Sequence, residues 1–106
     1  MMNMDTGRKP VILVTAADLA AEALALLSGY EVIFAGKQPD EAGLVALCAQ
    51  HQPVAIIVRY GRITPAVIAA SPKLRVISKH GSGIDTIDVE AARARNIAVK
   101  AATAVN

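Results

Sequence analysis

Residues 74–106 read LRVISKHGSGIDTIDVEAARARNIAVKAATAVN. Residues 74–78 read as a buried-type strand. Gly81-Ser82-Gly83 follows as a loop. Asp88 opens a helix over residues 88–95 and is placed to cap it, since its carboxylate can accept the exposed N–H groups of the first turn. Asn96 is placed to take the left-handed position at the helix end, a region that asparagine tolerates. Residues 97–100 make another strand. Strand, glycine loop, helix and strand in succession outline a βαβ unit, which implies a parallel sheet.

The same alternation extends back to the start of the chain. Residues 11–15 (VILVT) are a continuous β-rich apolar run, as expected of a strand covered on both faces. A helix is expected over residues 17–27, with Gly29 ending it. Residues 31–34 make a short strand, and residues 36–39 a turn. A helix over residues 40–50 carries Leu44, Leu47 and Cys48 on one face. Pro53 then punctuates, and VAIIV at residues 54–58 is the strongest strand in the chain. Thr64 can cap a helix with Pro65 at its first position, running to residue 70 before Ser71-Pro72 breaks it. The expected fold is therefore α/β with a five-stranded parallel sheet. Residues 1–10 read as an N-terminal leader and residues 11–106 as one domain. Ligands of such sheets sit at the carboxyl ends of the strands, near a switch in strand order. The loops that matter are then residues 15–18, 35–39, 59–64, 79–88 and 101–106.

Composition narrows the function. Hydrophobic residues are 54% and charged residues 19%, so the chain folds rather than staying disordered. Aromatics are only 3%, which leaves little surface for stacking on bases. The net charge of +2 comes from scattered Lys and Arg, with no basic stripe, so no nucleic-acid partner is expected. No apolar run is long enough to span a membrane. Cys48 is the single cysteine and lies in an apolar helical pattern, so it reads as a buried structural thiol in a reducing, cytoplasmic setting.

The candidate chemistry is sparse. Successive N–H groups at the Gly81-Ser82-Gly83 turn could form an anion-binding nest, or the loop could be an ordinary tight turn. As a dinucleotide loop it is a poor match, because Thr86 stands where the third glycine of G-x-G-x-x-G belongs and the later acidic residue is missing. Arg59 directly follows the central strand. It could fork to a carboxylate or phosphate, or be a solvated charge at a strand end. Capping explains Asp88 better than acid–base work does, and Asp85 is expected to fix the loop. His80 reads as a surface residue and His51 as structural. No group has metal-ligand spacing. No catalytic, cofactor or metal residue is assigned within the chain.

Two stretches resemble a known family: VRYGRIT at residues 58–64, and LRVISKHGSGIDTID at residues 74–88 with its continuation AARARNIAV at residues 91–99. The chain from Val11 onward is similar to the N-terminal part of the NAD-dependent D-2-hydroxyacid dehydrogenases, nearest the phosphoglycerate and hydroxypyruvate/glyoxylate branch. That resemblance implies a flavodoxin-like three-layer substrate-binding domain. It implies that backbone N–H groups of Ser82 and Gly83 hold a substrate carboxylate, and that Arg59 contacts substrate phosphate. It places Asn106 at the cleft, where the chain crosses to a nucleotide domain. Ala102, Thr103 and Ala104 stand where the family has a Thr-Pro-Gly-like turn, and Asn96 stands where it has glycine.

The expected partners are a small 2-hydroxy or 2-keto acid and an NAD-binding Rossmann domain that would follow Asn106. NAD or NADP is expected in the whole enzyme, with none bound to these residues alone and no turnover from them. Self-association is expected to cover an apolar patch, and light scattering would reveal it. The alternative reading is a non-enzymatic flavodoxin-like binding or interaction module. A phospho-acceptor receiver would need acids where Thr15-Ala16-Ala17 and Arg59 stand, and an FMN carrier would need a Ser/Thr/Gly-rich loop after the first strand.

Overall fold

The computed structural model describes residues 9–80 and 86–102, and the structural statements below concern those residues. Strands and helices alternate: β1 (Val11–Val14), α1 (Ala21–Leu26), β2 (Glu31–Phe34), α2 (Glu41–His51), β3 (Ala55–Val58), α3 (Pro65–Ala69), β4 (Val76–His80), α4 (Val89–Ala94) and β5 (Ala98–Ala102). All strand pairs are parallel, in the order β2-β1-β3-β4-β5. This is the expected flavodoxin-like α/β sheet. The chain moves outward from β1 to β2 and then returns to the other side of β1, so strand order reverses between β1 and β3.

Side chains alternate across the sheet, as a period of two requires. Leu13, Ile56, Val58 and Ile77 face one way and pack on α2, α3 and α4 through Leu44, Cys48, Val67, Ile68 and Ala92. Ile12 and Val14 face the other way, toward Leu19 and Leu27 at the two ends of the α1 segment. The second layer is thin. Helix α1 buries no residue and has no side-chain N-cap.

The helix expected from residue 17 begins only at Ala21. Residues 15 and 16 are held by neighbouring loops, since Gly36 N–H donates to the Ala16 carbonyl at 3.0 Å, and Ala20 offers no capping oxygen. Gly29 does not end the helix by a left-handed turn, because it is not among the residues with positive φ. A tight turn does so instead, with Leu27 N–H on the Leu24 carbonyl at 3.0 Å. Both bounds of β4 lie two residues further toward the C-terminus than expected, while β5 starts one residue later and ends two residues later. Leu74 closes the turn after α3, and Ile97 closes the end of α4.

The caps expected at Thr64, Asp88 and Asn96 are present, and Asp40 adds one that the sequence reading did not assign. Asp40, Thr64 and Asp88 each accept a backbone N–H three residues on. At the end of α4, Asn96 has φ 62. Ile97 N–H reaches the Ala92 carbonyl at 2.9 Å and Asn96 N–H the Arg93 carbonyl at 3.0 Å, which is a Schellman motif built on asparagine. Gln52, at φ 51, ends α2 in the same left-handed region, and its N–H donates to the Cys48 carbonyl at 2.8 Å.

Cys48 is fully buried, and burial raises its thiol pKa above the ordinary 9.0, opposed by a side-chain hydrogen bond with Ser71. The unfolded chain therefore loses this proton at lower pH than the folded chain. The stability that the neutral thiol supports is whole below about pH 9 and is lost as pH rises toward the folded value. Urea unfolding at about pH 8 and about pH 10 should show a decline in stability with pH, part of which Cys48→Val abolishes. Equal slopes in the two proteins would contradict it.

Candidate functional site

Strand order reverses between β1 and β3, the place where ligands of such sheets bind, and at the C-terminal edge of the sheet there the described residues are tied by a small set of hydrogen bonds. Thr15 follows β1 and is fully buried. Its Oγ1 accepts from Arg59 N–H at 2.8 Å and from Tyr60 N–H at 3.2 Å. Its carbonyl also accepts from Tyr60 N–H at 3.0 Å, and its own N–H donates to the Ile57 carbonyl at 2.9 Å. Ala35 N–H donates to the Val14 carbonyl at 2.8 Å, which draws the β2 loop into the same edge.

Gly61 completes the packing. It has φ +81, and a Cβ there would lie 2.9 Å from Pro39 Cγ and 3.3 Å from the Pro39 carbonyl oxygen. Only glycine lets the β3 loop lie this close to the β2 loop. Arg59 is exposed above this platform, with its guanidinium carbon 5.8 Å from the centroid of the Tyr60 ring. At that range a cation–π contact orients the side chain without consuming its hydrogen-bond donors.

The loops after β3 and β4 are joined by an isolated bridge between Ile63 and Ile87. Ile63 N–H donates to the Thr86 carbonyl and Asp88 N–H to the Ile63 carbonyl, both at 2.9 Å. Beside the bridge is a cleft of about 360 Å³ lined by Arg62, Thr64, Thr86, Asp88 and Glu90. It suits an acid poorly. Two carboxylates face one arginine, and the helix-start amides are already taken, Val67 N–H by Thr64 and Ala91 N–H by Asp88. Thr64 also donates its hydroxyl to Glu41 Oε2 at 2.5 Å. A second cleft of about 250 Å³, lined by Lys9, His51 and Lys73 among others, lies at the opposite, N-terminal edge of the sheet.

Of the expected site residues, Arg59 stands at the switch in strand order, and Asp88 is the α4 cap, accepting from Ala91 N–H at 2.9 Å. Gly81, Ser82, Gly83, Asp85 and Asn106 lie outside the described residues. His80 is exposed at the end of β4, and His51 is the last residue of α2. Among the described residues no cluster of His, Cys, Asp or Glu could hold a metal, and no helix is long and apolar enough to cross a membrane. Thr15 received no role from the sequence. The available signal was a hydroxyl residue placed directly after a wholly apolar strand.

A family model for the D-isomer specific 2-hydroxyacid dehydrogenase catalytic domain matches residues 11–106. D-3-phosphoglycerate dehydrogenase of Mycobacterium leprae is 36% identical over 91 residues, which are 85% of this chain and 17% of that protein. The chain thus spans under a fifth of the length of the curated relatives it matches. Among solved structures, NAD+-bound 3-phosphoglycerate dehydrogenase of Entamoeba histolytica superposes with a TM-score of 0.72 at 25% identity, over 88% of this chain and 32% of that one. A 2-hydroxyacid dehydrogenase of Ketogulonicigenium vulgare gives 0.66 at 32% identity, over 86% and 29%.

Proposed function

The chain belongs to the D-isomer specific 2-hydroxyacid dehydrogenase family, and on that premise we propose that it is the substrate-binding part of an NAD-dependent enzyme acting on a phosphorylated 2-hydroxy acid such as 3-phosphoglycerate. The position of Arg59 carries this reading. It leaves the end of the central strand at the reversal of strand order, exposed, with its backbone held by Thr15. A planar guanidinium in that place suits bidentate capture of a phosphate. In the proposal, backbone N–H groups of Ser82 and Gly83 take the carboxylate, and Asn106 lies where the chain crosses to the nucleotide domain.

The described residues do not fit the dinucleotide itself. A pyrophosphate site after β1 needs glycines and free amides. Here Thr15 and Ala16 are buried, and the nearby amides of Gly36, Arg59 and Tyr60 are spent on Ala16 and Thr15. Hydride transfer to or from C2 of the acid is the chemistry that NAD supplies, and in this reading another part of the enzyme binds it. The residues described here bind and orient the acid.

The test is an NMR titration of the 106-residue chain with 3-phosphoglycerate and with D-glycerate, its phosphate-free counterpart. Both should shift the Ser82 and Gly83 amides, and the phosphorylated acid should bind more tightly and also shift Arg59. The same preparation should give no NADH-dependent reduction of hydroxypyruvate. Absence of binding by either acid would sink the proposed site, and steady turnover would overturn the expectation that the chain alone is inactive.

A further inference from the structure

We propose that Thr15 is a positioning residue that turns Arg59 out of the sheet toward the substrate phosphate; this rests on the function proposed above. The ladder between β1 and β3 shows how. In this parallel pair Val14 lies opposite Ile57, and Thr15 N–H still donates to the Ile57 carbonyl at 2.9 Å. If the ladder continued, the Thr15 carbonyl would accept the next rung from Arg59 N–H. It accepts instead from Tyr60 N–H, one residue further on, at 3.0 Å.

The displaced Arg59 N–H is satisfied by the Thr15 hydroxyl at 2.8 Å. The hydroxyl therefore stands in for the missing rung, and the chain leaves the ladder one residue early. A one-residue slip reverses the face to which a side chain points. The slip takes Arg59 off the pleat and leaves it exposed beside Tyr60, at the edge where ligands of this sheet type bind. The hydroxyl belongs to a fully buried residue, and without it Arg59 N–H loses this acceptor, whereas Tyr60 N–H keeps the Thr15 carbonyl.

The decisive comparison is again between 3-phosphoglycerate and D-glycerate, measured by NMR titration of Thr15→Val and Thr15→Ser. Thr15→Val keeps the shape and removes the oxygen. It should weaken 3-phosphoglycerate binding about tenfold and leave D-glycerate binding within about twofold. Thr15→Ser restores the oxygen and should bind both acids as the unsubstituted protein does. Should Thr15→Val not fold, Thr15→Ala takes its place in the same comparison. Equal weakening of both acids would mean that Thr15 supports the fold at large and would overturn the inference alone. So would an unchanged 3-phosphoglycerate affinity, or a serine variant as weak as valine. If the unsubstituted protein binds neither acid, the function proposed above fails, and this inference falls with it.

Discussion

Arg59→Gln is expected to weaken 3-phosphoglycerate binding by about tenfold, while D-glycerate binding stays within about twofold. A hydrogen bond to a charged group contributes about 1.5–3 kcal/mol, and Arg59 could supply a pair of them to one phosphate. The side chain is exposed, so solvent screening pulls the effect toward the lower end of that range. For the same reason, the difference between the two acids should shrink as salt is added. Arg59→Lys should recover only part of the affinity, because an ammonium keeps the charge and loses the planar fork. NMR titration at low and high ionic strength measures all of this, and an Arg59→Gln protein with undiminished preference for the phosphorylated acid would refute the assignment.

The second large effect concerns the frame that holds this edge. Ile56→Ala should destabilise the fold by about 2–5 kcal/mol, a large share of the roughly 5–15 kcal/mol available to a domain of this size. Ile56 is fully buried on β3, the middle strand of the sheet, and belongs to the core cluster that joins the sheet to α2, α3 and α4. Neighbours on both sides are themselves held in ladders, Leu13 on β1 and Ile77 on β4, so the cavity cannot readily collapse. Urea unfolding should show a lower midpoint with an unchanged slope. Ala69→Ser, at an exposed position on α3, is a suitable control and should stay within about 0.5 kcal/mol. A loss in Ile56→Ala no larger than in that control would contradict the account of the core.

Much of this is legible in the sequence alone. The apolar runs at residues 11–15 and 54–58 read as strands, the first as one covered on both faces because it has no polar side to alternate with. Thr64 before Pro65, and Asp88 before the last helix, announced helix starts, because capping is a local interaction between residues three apart. The same locality made Asn96 readable as a left-handed residue. Helix α1 starts four residues later than its alanine-rich sequence suggests, and nothing local reveals that Thr15 and Ala16 are committed to other loops. Gln52 in a left-handed conformation gave no warning, as glutamine has no special preference for that region.

The site divides along the same line. Arg59 could be placed at a strand end from its neighbours alone, and family resemblance supplied an expected role for it and for Ser82, Gly83 and Asn106. Its tie to Thr15 could not be read, because those two residues are 44 positions apart and periodicity carries no information about which strands become neighbours. Local residue types set which segments are strands, which are helices and where the helices start, because propensity, burial pattern and capping act over a few residues. The order β2-β1-β3-β4-β5, the slipped rung at Thr15 and the tie that holds the Arg59 backbone were decided only when the whole sheet assembled, since each depends on hydrogen bonds between segments far apart in the chain.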